Sequence, residues 1–337
     1  MAPLLDVRGL KISIPTHGGL LNPVRGVDLS VDRGETLAIV GESGCGKSMT
    51  AQAILGLLPR NARLSAERVA FDGQSLIGLP IRQWRKIRGR RIAMIFQDPM
   101  TAFDPCYRMG DQMAEIVRWH RPASANPRAI ADMLARVGIS APDERLGQYP
   151  HQLSGGLRQR MMIATALLCQ PDLIIADEPT TALDVTIQAQ ILKLLADLQA
   201  ETSVGLVLIT HDLGVVAGIA DRIAVMYGGE VVEAGAAEAI LGAPRHPYTQ
   251  GLLDCIPTPG ETGRRAALGY IPGVVPRPLG ELTACNFLER CARAEAVCRQ
   301  RPVALSGLPD GRAVRCRLVA DGRALAIHEP GREAQPA

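Results

Sequence analysis

From Leu4 to about Ile240, short apolar runs alternate with longer stretches of helical spacing, the order expected of an α/β layer with parallel strands. The clearest predicted strands are TLAIV (36 to 40), RIAMIF (91 to 96), DLIIAD (172 to 177), LVLIT (206 to 210) and RIAVMY (222 to 227). Residues 98 to 152 read differently. There DQMAEIVRWH and RAIADMLARVG carry helical spacing and Pro and Gly punctuate the pattern, so a helical insertion is expected, forming a subdomain that reaches about residue 165. After Pro244 the chain turns rich in Pro, Gly and Arg. That shift divides it into an expected α/β domain, residues 1 to 243, and a smaller C-terminal extension, residues 244 to 337.

Length agrees with this division, since 337 residues suit about two domains. The 37 basic against 34 acidic side chains leave only +3, spread along the chain, which is not the footprint of a nucleic-acid binder. No run of 18 apolar residues occurs, and MAPLLDVRGL lacks the basic start, apolar stretch and cleavage site of a secretion signal, so a cytosolic location is expected. The eight cysteines are then expected to be reduced thiols or metal ligands. Four of them, Cys285, Cys291, Cys298 and Cys316, crowd into one stretch of the extension.

The sharpest motif is GESGCGKS, comprising Gly41, Glu42, Ser43, Gly44, Cys45, Gly46, Lys47 and Ser48. It matches the G-x4-G-K-[ST] phosphate loop, follows the apolar strand TLAIV and precedes a helical pattern from Met49 to Leu58. Glycines let backbone amides close around an anion, and the following helix turns its positive end toward it. Lys47 would reach the β and γ phosphates of a nucleotide, and Ser48 would hold Mg2+. Farther on, DLIIADEP ends a strand in two acids, where Asp177 suits the metal and Glu178 suits a base for an attacking water.

At LSGGLRQR, residues 153 to 160, the chain resembles the signature motif of ABC-type ATPases. Ser154, Gly155 and Gly156 there open a helical run and would make a second anion site. Three other stretches resemble family elements in the family's order. Gln97 in IFQDPM corresponds to the Q-loop glutamine, also a Mg2+ ligand; Asp184 ends the D-loop TTALD; His211 in LITHD corresponds to the switch histidine that senses the γ phosphate. The resemblance implies a P-loop ABC-type nucleotide-binding domain with a helical subdomain, hydrolysing Mg-ATP in a head-to-tail dimer whose signature loops complete the opposite subunit's site. Two positions depart from the family pattern: Ile14 stands where an aromatic residue usually stacks on adenine, and Leu157 where many relatives have Gln.

In the extension, APRHPYTQGLL, YIPGVVP and ACNFLERCARAEAVC resemble the tails of ATPases from oligopeptide, dipeptide and nickel importers. GESGCGKSMTAQAILGLLP and DEPTTALDVTIQAQIL are most similar to the D-type member of the two paralogous ATPases of dipeptide importers. This implies a peripheral subunit on the cytoplasmic face of the inner membrane. Its partners would be a paralogous F-type ATPase, two transmembrane permease subunits and, indirectly, an extracytoplasmic substrate-binding protein. A nickel or other small-solute importer of the same family is an alternative, as is a non-transport ABC ATPase. The resemblance also implies one 4Fe-4S cluster on the four crowded cysteines. Zinc and plain buried thiols are the alternatives. The gaps of 5, 6 and 17 residues lack the close ligand pairs of structural zinc sites. ERCARAEAVCR looks helical, and one helix would hold Cys291 and Cys298 about 10 Å apart along its axis.

Overall fold

The computed structural model describes residues 2–121, 126–180, 185–256 and 269–323. In chain order its strands are β1 (Leu5–Thr16), β2 (Gly19–Val31), β3 (Thr36–Val40), β4 (Arg63–Ser65), β5 (Arg68–Phe71), β6 (Gln74–Ser75), β7 (Ile92–Ile95), β8 (Leu173–Asp177), β9 (Gly205–Thr210), β10 (Arg222–Tyr227), β11 (Glu230–Ala236), β12 (Ser306–Gly307) and β13 (Ala313–Val314). The helices are α1 (Lys47–Ile54), α2 (Ile81–Ile87), α3 (Met109–His120), α4 (Pro127–Arg136), α5 (Pro142–Leu146), α6 (Gly155–Leu168), α7 (Val185–Thr202), α8 (Leu213–Val216), α9 (Ala237–Gly242), α10 (Pro247–Asp254) and α11 (Arg317–Ala320). All five strands read from apolar runs are present, with ends shifted by one residue at most.

The central sheet runs β12-β13-β11-β10-β3-β9-β8-β7, and its strands from β10 to β7 are mutually parallel. β3, β8 and β9 are buried at every position because both faces of this sheet are covered. Alternate side chains therefore enter two different cores. Ala38 and Val40 of β3 join Ile174, Ala176, Leu206 and Leu208 on the face that packs the helices. Leu37 and Ile39 join Ile175, Val207 and Ile209 on the face that packs α1 and a second sheet. That second, antiparallel sheet has the order β2-β1-β5-β6, with β4 also paired to β1.

Between β7 and β8 lies the helical insertion. α3 buries Met109, Met113 and Val117, spaced one helical turn apart, and α4 answers with Ile130, Ala131 and Leu134. Asn126 caps α4 by accepting from Arg128 N–H, and Pro127 occupies the first turn, where its missing N–H is harmless. α6 packs on α3, α4 and β7, so its Met161–Ala164 segment is buried all round.

The extension closes both sheets. β13 pairs antiparallel with β11. On the other sheet, Asn22 N–H donates to Pro278 O at 2.7 Å and Gly280 N–H donates to Leu20 O at 2.9 Å, bridging Leu21 to Leu279 along the free edge of β2. Phe287 enters the main core, and Cys285 and Cys291 pack against it. One expectation is corrected here. ERCARAEAVCR is not a helix but two short 3-10 turns, Leu288–Arg290 and Ala296–Arg299, so Cys291 and Cys298 do not share a helical axis. Its Ala, Glu and Arg favour a helix locally, but burial of Arg290 and Cys298 in the tertiary structure overrides that preference.

Candidate functional site

Five of the sequence-read features lie at or beyond the carboxyl end of a parallel strand: the phosphate loop after β3, Gln97 after β7, Asp177 and Glu178 at β8, and His211 after β9. β7, β8, β9 and β3 are adjacent in the sheet, so residues up to 170 positions apart in sequence meet along one rim.

The phosphate loop is built around glycines that tolerate no side chain. A Cβ on Gly41 would lie 2.2 Å from Met226 O, and one on Gly46, at φ +106°, would lie 2.2 Å from Pro23 O. Gly46 N-caps α1, and Lys47, its first residue, is buried. The Lys47 ammonium donates to Gly41 O at 2.7 Å and Glu42 O at 3.0 Å, folded back across the loop it will serve. Cys45 is buried beneath it, and burial pushes that thiol up from its ordinary pKa. Ser43 and Gly44 at the tip are exposed.

Ser48 Oγ donates to Asp177 Oδ1 at 3.0 Å. Burial is the main cause that raises the Asp177 pKa; Glu178 adds to the rise, while the Ser48 hydrogen bond and Lys47 oppose it. A hydroxyl and a desolvated carboxylate next to an anion-binding loop are hard oxygen donors of the kind Mg2+ takes, so these residues fit that ion.

Glu178 has φ +45°, the left-handed region that a non-glycine residue enters at a cost of about 1–2 kcal/mol. The turn is pinned by Glu178 N–H donating to Ile209 O at 2.9 Å, and it carries the side chain back along the rim. There Gln97 Nε2 donates to Glu178 Oε2 at 3.0 Å, and His211 Nδ1 lies 3.5 Å from the same oxygen. The turn bearing His211 is held by Thr210 Oγ1, which accepts from Asp212 N–H, and by Asp212, which caps α8. The three residues are thus brought together. Gln97 is joined to Glu178 rather than by a hydrogen bond to the Ser48–Asp177 pair.

Ser154 caps α6, accepting from Leu157 N–H at 3.3 Å, and Ser154 and Gly155 are exposed with Gly156 beside them. A Cβ on Gly155 would meet nothing within 4 Å. Ile14 is half-buried in the β1–β2 hairpin opposite Leu21. Asp184 lies outside the described residues.

The four crowded cysteines also converge. Cys285 N–H donates to Cys298 O at 3.0 Å, Cys298 and Cys316 are buried, and Cys285 and Cys291 are half-buried. Burial pushes the Cys285 thiol up to about 11; a hydrogen bond from the Phe287 backbone opposes this, while the nearby Cys298, Cys291 and Cys316 add to it. Cys291 and Cys316 are raised for the same first reason. Among the described residues no group of three or more His, Cys, Asp or Glu side chains is disposed to hold a metal ion.

Sequence reasoning missed Tyr248, Arg290 and Asn286. Tyr248 and Arg290 reach Glu42 of the phosphate loop, and Asn286 ties the cysteine segment to the β10–β11 turn through Tyr227 O, Gly228 O and Glu230. The sole signal in the chain was their company, Tyr248 in RHPYTQ and the other two between Cys285 and Cys291.

The family model for the ABC transporter matches residues 24–181, and that for the oligopeptide/dipeptide transporter C-terminal region matches residues 232–298. The dipeptide transport ATP-binding protein DppD of Bacillus subtilis is 48% identical over 94% of this chain and 95% of its own length. DppD of Escherichia coli is 47% identical over 94% and 97%. Among solved structures, the ATP-binding cassette MJ0796 in a dimeric post-hydrolysis state bound to ADP and phosphate superposes with a TM-score of 0.62 at 25% identity, covering 69% of this chain and 98% of that one.

Proposed function

This chain belongs to the ABC transporter family of ATP-binding proteins, and from that premise we propose that it powers import of di- and oligopeptides through separate membrane subunits. The observation that carries the reading is the rim itself: phosphate loop, Ser48–Asp177 pair and Glu178 held by Gln97 and His211. The tail match and the peptide-transport relatives supply the cargo class.

In this reading Lys47 exchanges its two carbonyl partners for phosphate oxygens. Glu178 accepts the proton of a water whose oxygen attacks the γ phosphorus, and the bond to the β–γ bridging oxygen breaks, leaving ADP with the electron pair. Gln97 and His211 aim the Glu178 carboxylate, His211 also sensing the γ phosphate. Bound Mg2+, taken by Ser48, Asp177 and Gln97, would neutralise charge on the phosphates.

Ser154, Gly155 and Gly156 then serve a second subunit, a paralogous F-type ATPase, with Asp184 at the shared face. The exposure of Ser154 and Gly155 supports that role. The permease subunits would dock in an apolar groove of about 350 Å3 between the sheet edge and the helical insertion, lined by Leu55, Phe96, Phe103, Ile116 and Met162. Phe96 is 45% exposed and Trp119, on the same helix as Ile116, is 72% exposed, which supports a covering helix. Like its relatives, the ATP-binding proteins of transporters, this chain would sit peripherally on the cytoplasmic face; among the described residues no helix is long and apolar enough to cross a membrane. A substrate-binding protein would deliver cargo to the permeases from outside.

Cys285, Cys291, Cys298 and Cys316 would hold one 4Fe-4S cluster. The Cys285 N–H to Cys298 O contact and the nearness of the other two cysteines support it, and Cys thiolates are the usual ligands of such a cluster. Its role is structural, fixing a tail whose own apolar cluster is small: Val314, Cys316, Leu318 and Val319.

The test of cargo is growth on a dipeptide as sole source of a required amino acid. Deletion of the gene should abolish it and Lys47→Ala should fail to restore it; full growth of the deletion strain would overturn the reading. Anaerobic purification should yield about four iron and four acid-labile sulfide per chain. Stoichiometric zinc, or no metal, would remove the cluster.

A further inference from the structure

Glu42, second residue of the phosphate loop, is held at every polar point. Its N–H donates to Tyr248 Oη at 2.9 Å, and its carbonyl accepts from Lys47 Nζ at 3.0 Å. Its carboxylate receives Arg290 Nη1 at 3.0 and 3.2 Å. Arg290 comes from 248 positions away, in the turn that leads to Cys291. Its side chain is 5% exposed. Nε donates to Pro272 O at 2.8 Å, Nη2 donates to Ile271 O at 3.2 Å, and the guanidinium lies 5.7 Å from the Tyr227 ring.

The surroundings are stiff. Tyr227, Tyr248 and Phe287 interlock with centroids 4.7, 5.1 and 5.4 Å apart, and Asn286 fastens the same segment to the β10–β11 turn. A phosphate loop must aim several N–H dipoles at one point before its anion arrives. Those dipoles repel one another, so the empty loop tends to open. A side-chain tether from a rigid neighbour reduces the ordering that binding would otherwise require.

We infer that Arg290 is a positioning residue for the nucleotide site, acting through Glu42 and with Tyr248 to hold the phosphate loop ready for the triphosphate. A guanidinium so buried cannot be left without its carboxylate cheaply. The contact is therefore kept whether or not nucleotide is bound, and the extension becomes part of the ATP site without touching ATP.

The test is calorimetric titration of the full-length chain with MgATP, reading Kd, stoichiometry and thermal midpoint. Arg290→Gln should raise Kd about tenfold, the equivalent of about 1.4 kcal/mol, at unchanged stoichiometry. Arg290→Lys keeps a cation against Glu42 but loses the fork that also holds Pro272 O and Ile271 O, so its Kd should fall between those of the parent chain and Arg290→Gln. The double variant Arg290→Gln/Glu42→Gln leaves net charge unchanged yet lacks the tether, and should still bind about fivefold more weakly. A mere change in local charge would leave it at the parent value. Tyr248→Phe deletes one hydroxyl and keeps the ring, so it reads the same tether if Arg290→Gln fails to fold; about a threefold rise is expected. A Kd within twofold of the parent for both Tyr248→Phe and the double variant would overturn the inference. So would a loss seen solely as lowered stoichiometry.

Discussion

Replacing Glu178 by Gln separates the two things this residue does, bearing a base and holding a turn. The amide keeps the length of the side chain and the left-handed backbone at φ +45°, with its N–H on Ile209 O. What disappears is an acceptor able to take a proton, 3.0 Å from Gln97 Nε2 and 3.5 Å from His211 Nδ1. Loss of a positioned general base slows turnover by about 10²–10⁴-fold, equivalent to about 3–5.5 kcal/mol on the barrier. ATP affinity should stay within about threefold, because Lys47, Ser48 and Asp177 are untouched. Glu178→Gly makes the contrast sharper. It removes the base and also the left-handed penalty of about 1–2 kcal/mol, so turnover should fall as far while stability changes by about 1 kcal/mol or less after loss of the Gln97 hydrogen bond. Steady-state phosphate release by the assembled transporter, with urea unfolding of each purified chain, reads both quantities. Turnover within tenfold of the parent in Glu178→Gln would refute the assignment of the base.

Three further outcomes are expected. Ser154→Arg places a bulky cation on the exposed cap of α6 and should abolish nucleotide crosslinking at the partner ATPase while sparing this chain's own Lys47 site; loss confined to the latter would contradict completion in trans. Ile14→Tyr offers adenine a ring on the β1–β2 hairpin and should tighten MgATP binding by about 3–10-fold in titration, the worth of one aromatic contact of about 0.5–1.5 kcal/mol. His246 is wholly buried, its Nδ1 accepting from Tyr248 N–H, and burial drives its pKa down to about 3. The unfolded chain binds that proton below about pH 6.5 and the folded chain does not, so stability should fall by up to about 1.4 kcal/mol per pH unit as pH drops from there toward 3. In urea melts this slope should flatten in His246→Asn, which can still cap α10.

The strands were legible because a parallel sheet covered on both sides demands uninterrupted apolar runs, and TLAIV and RIAVMY are such runs to the residue. The phosphate loop was legible because its glycines answer to local sterics, a Cβ at Gly41 or Gly46 colliding with backbone 2.2 Å away. What stayed hidden depended on distance in the chain or on backbone angle. Arg290 meets Glu42 across 248 positions, and no spacing rule reaches that far. The φ of Glu178 leaves no mark in DLIIADEP, since Glu is an unusual occupant of a left-handed turn. ERCARAEAVCR misled through its helix-forming composition, which tertiary burial of Cys298 and Arg290 overrides.

The strand edges closed by the extension bear on how the chain is made. Synthesis runs from the N-terminus, and by the time β11 has left the ribosome the rim of catalytic groups can already be assembled. At that moment β2 still shows its unpaired N–H and C=O groups, since Pro278, Leu279 and Gly280 have yet to appear, and β11 waits for Ala313 and Val314. Open edges of this kind recruit strands from other chains. A nascent chain stalled near residue 243 would therefore be a sticky species whose phosphate loop still lacks Tyr248 and Arg290, and a chaperone would be needed most in the interval between the last catalytic residue and the last paired one.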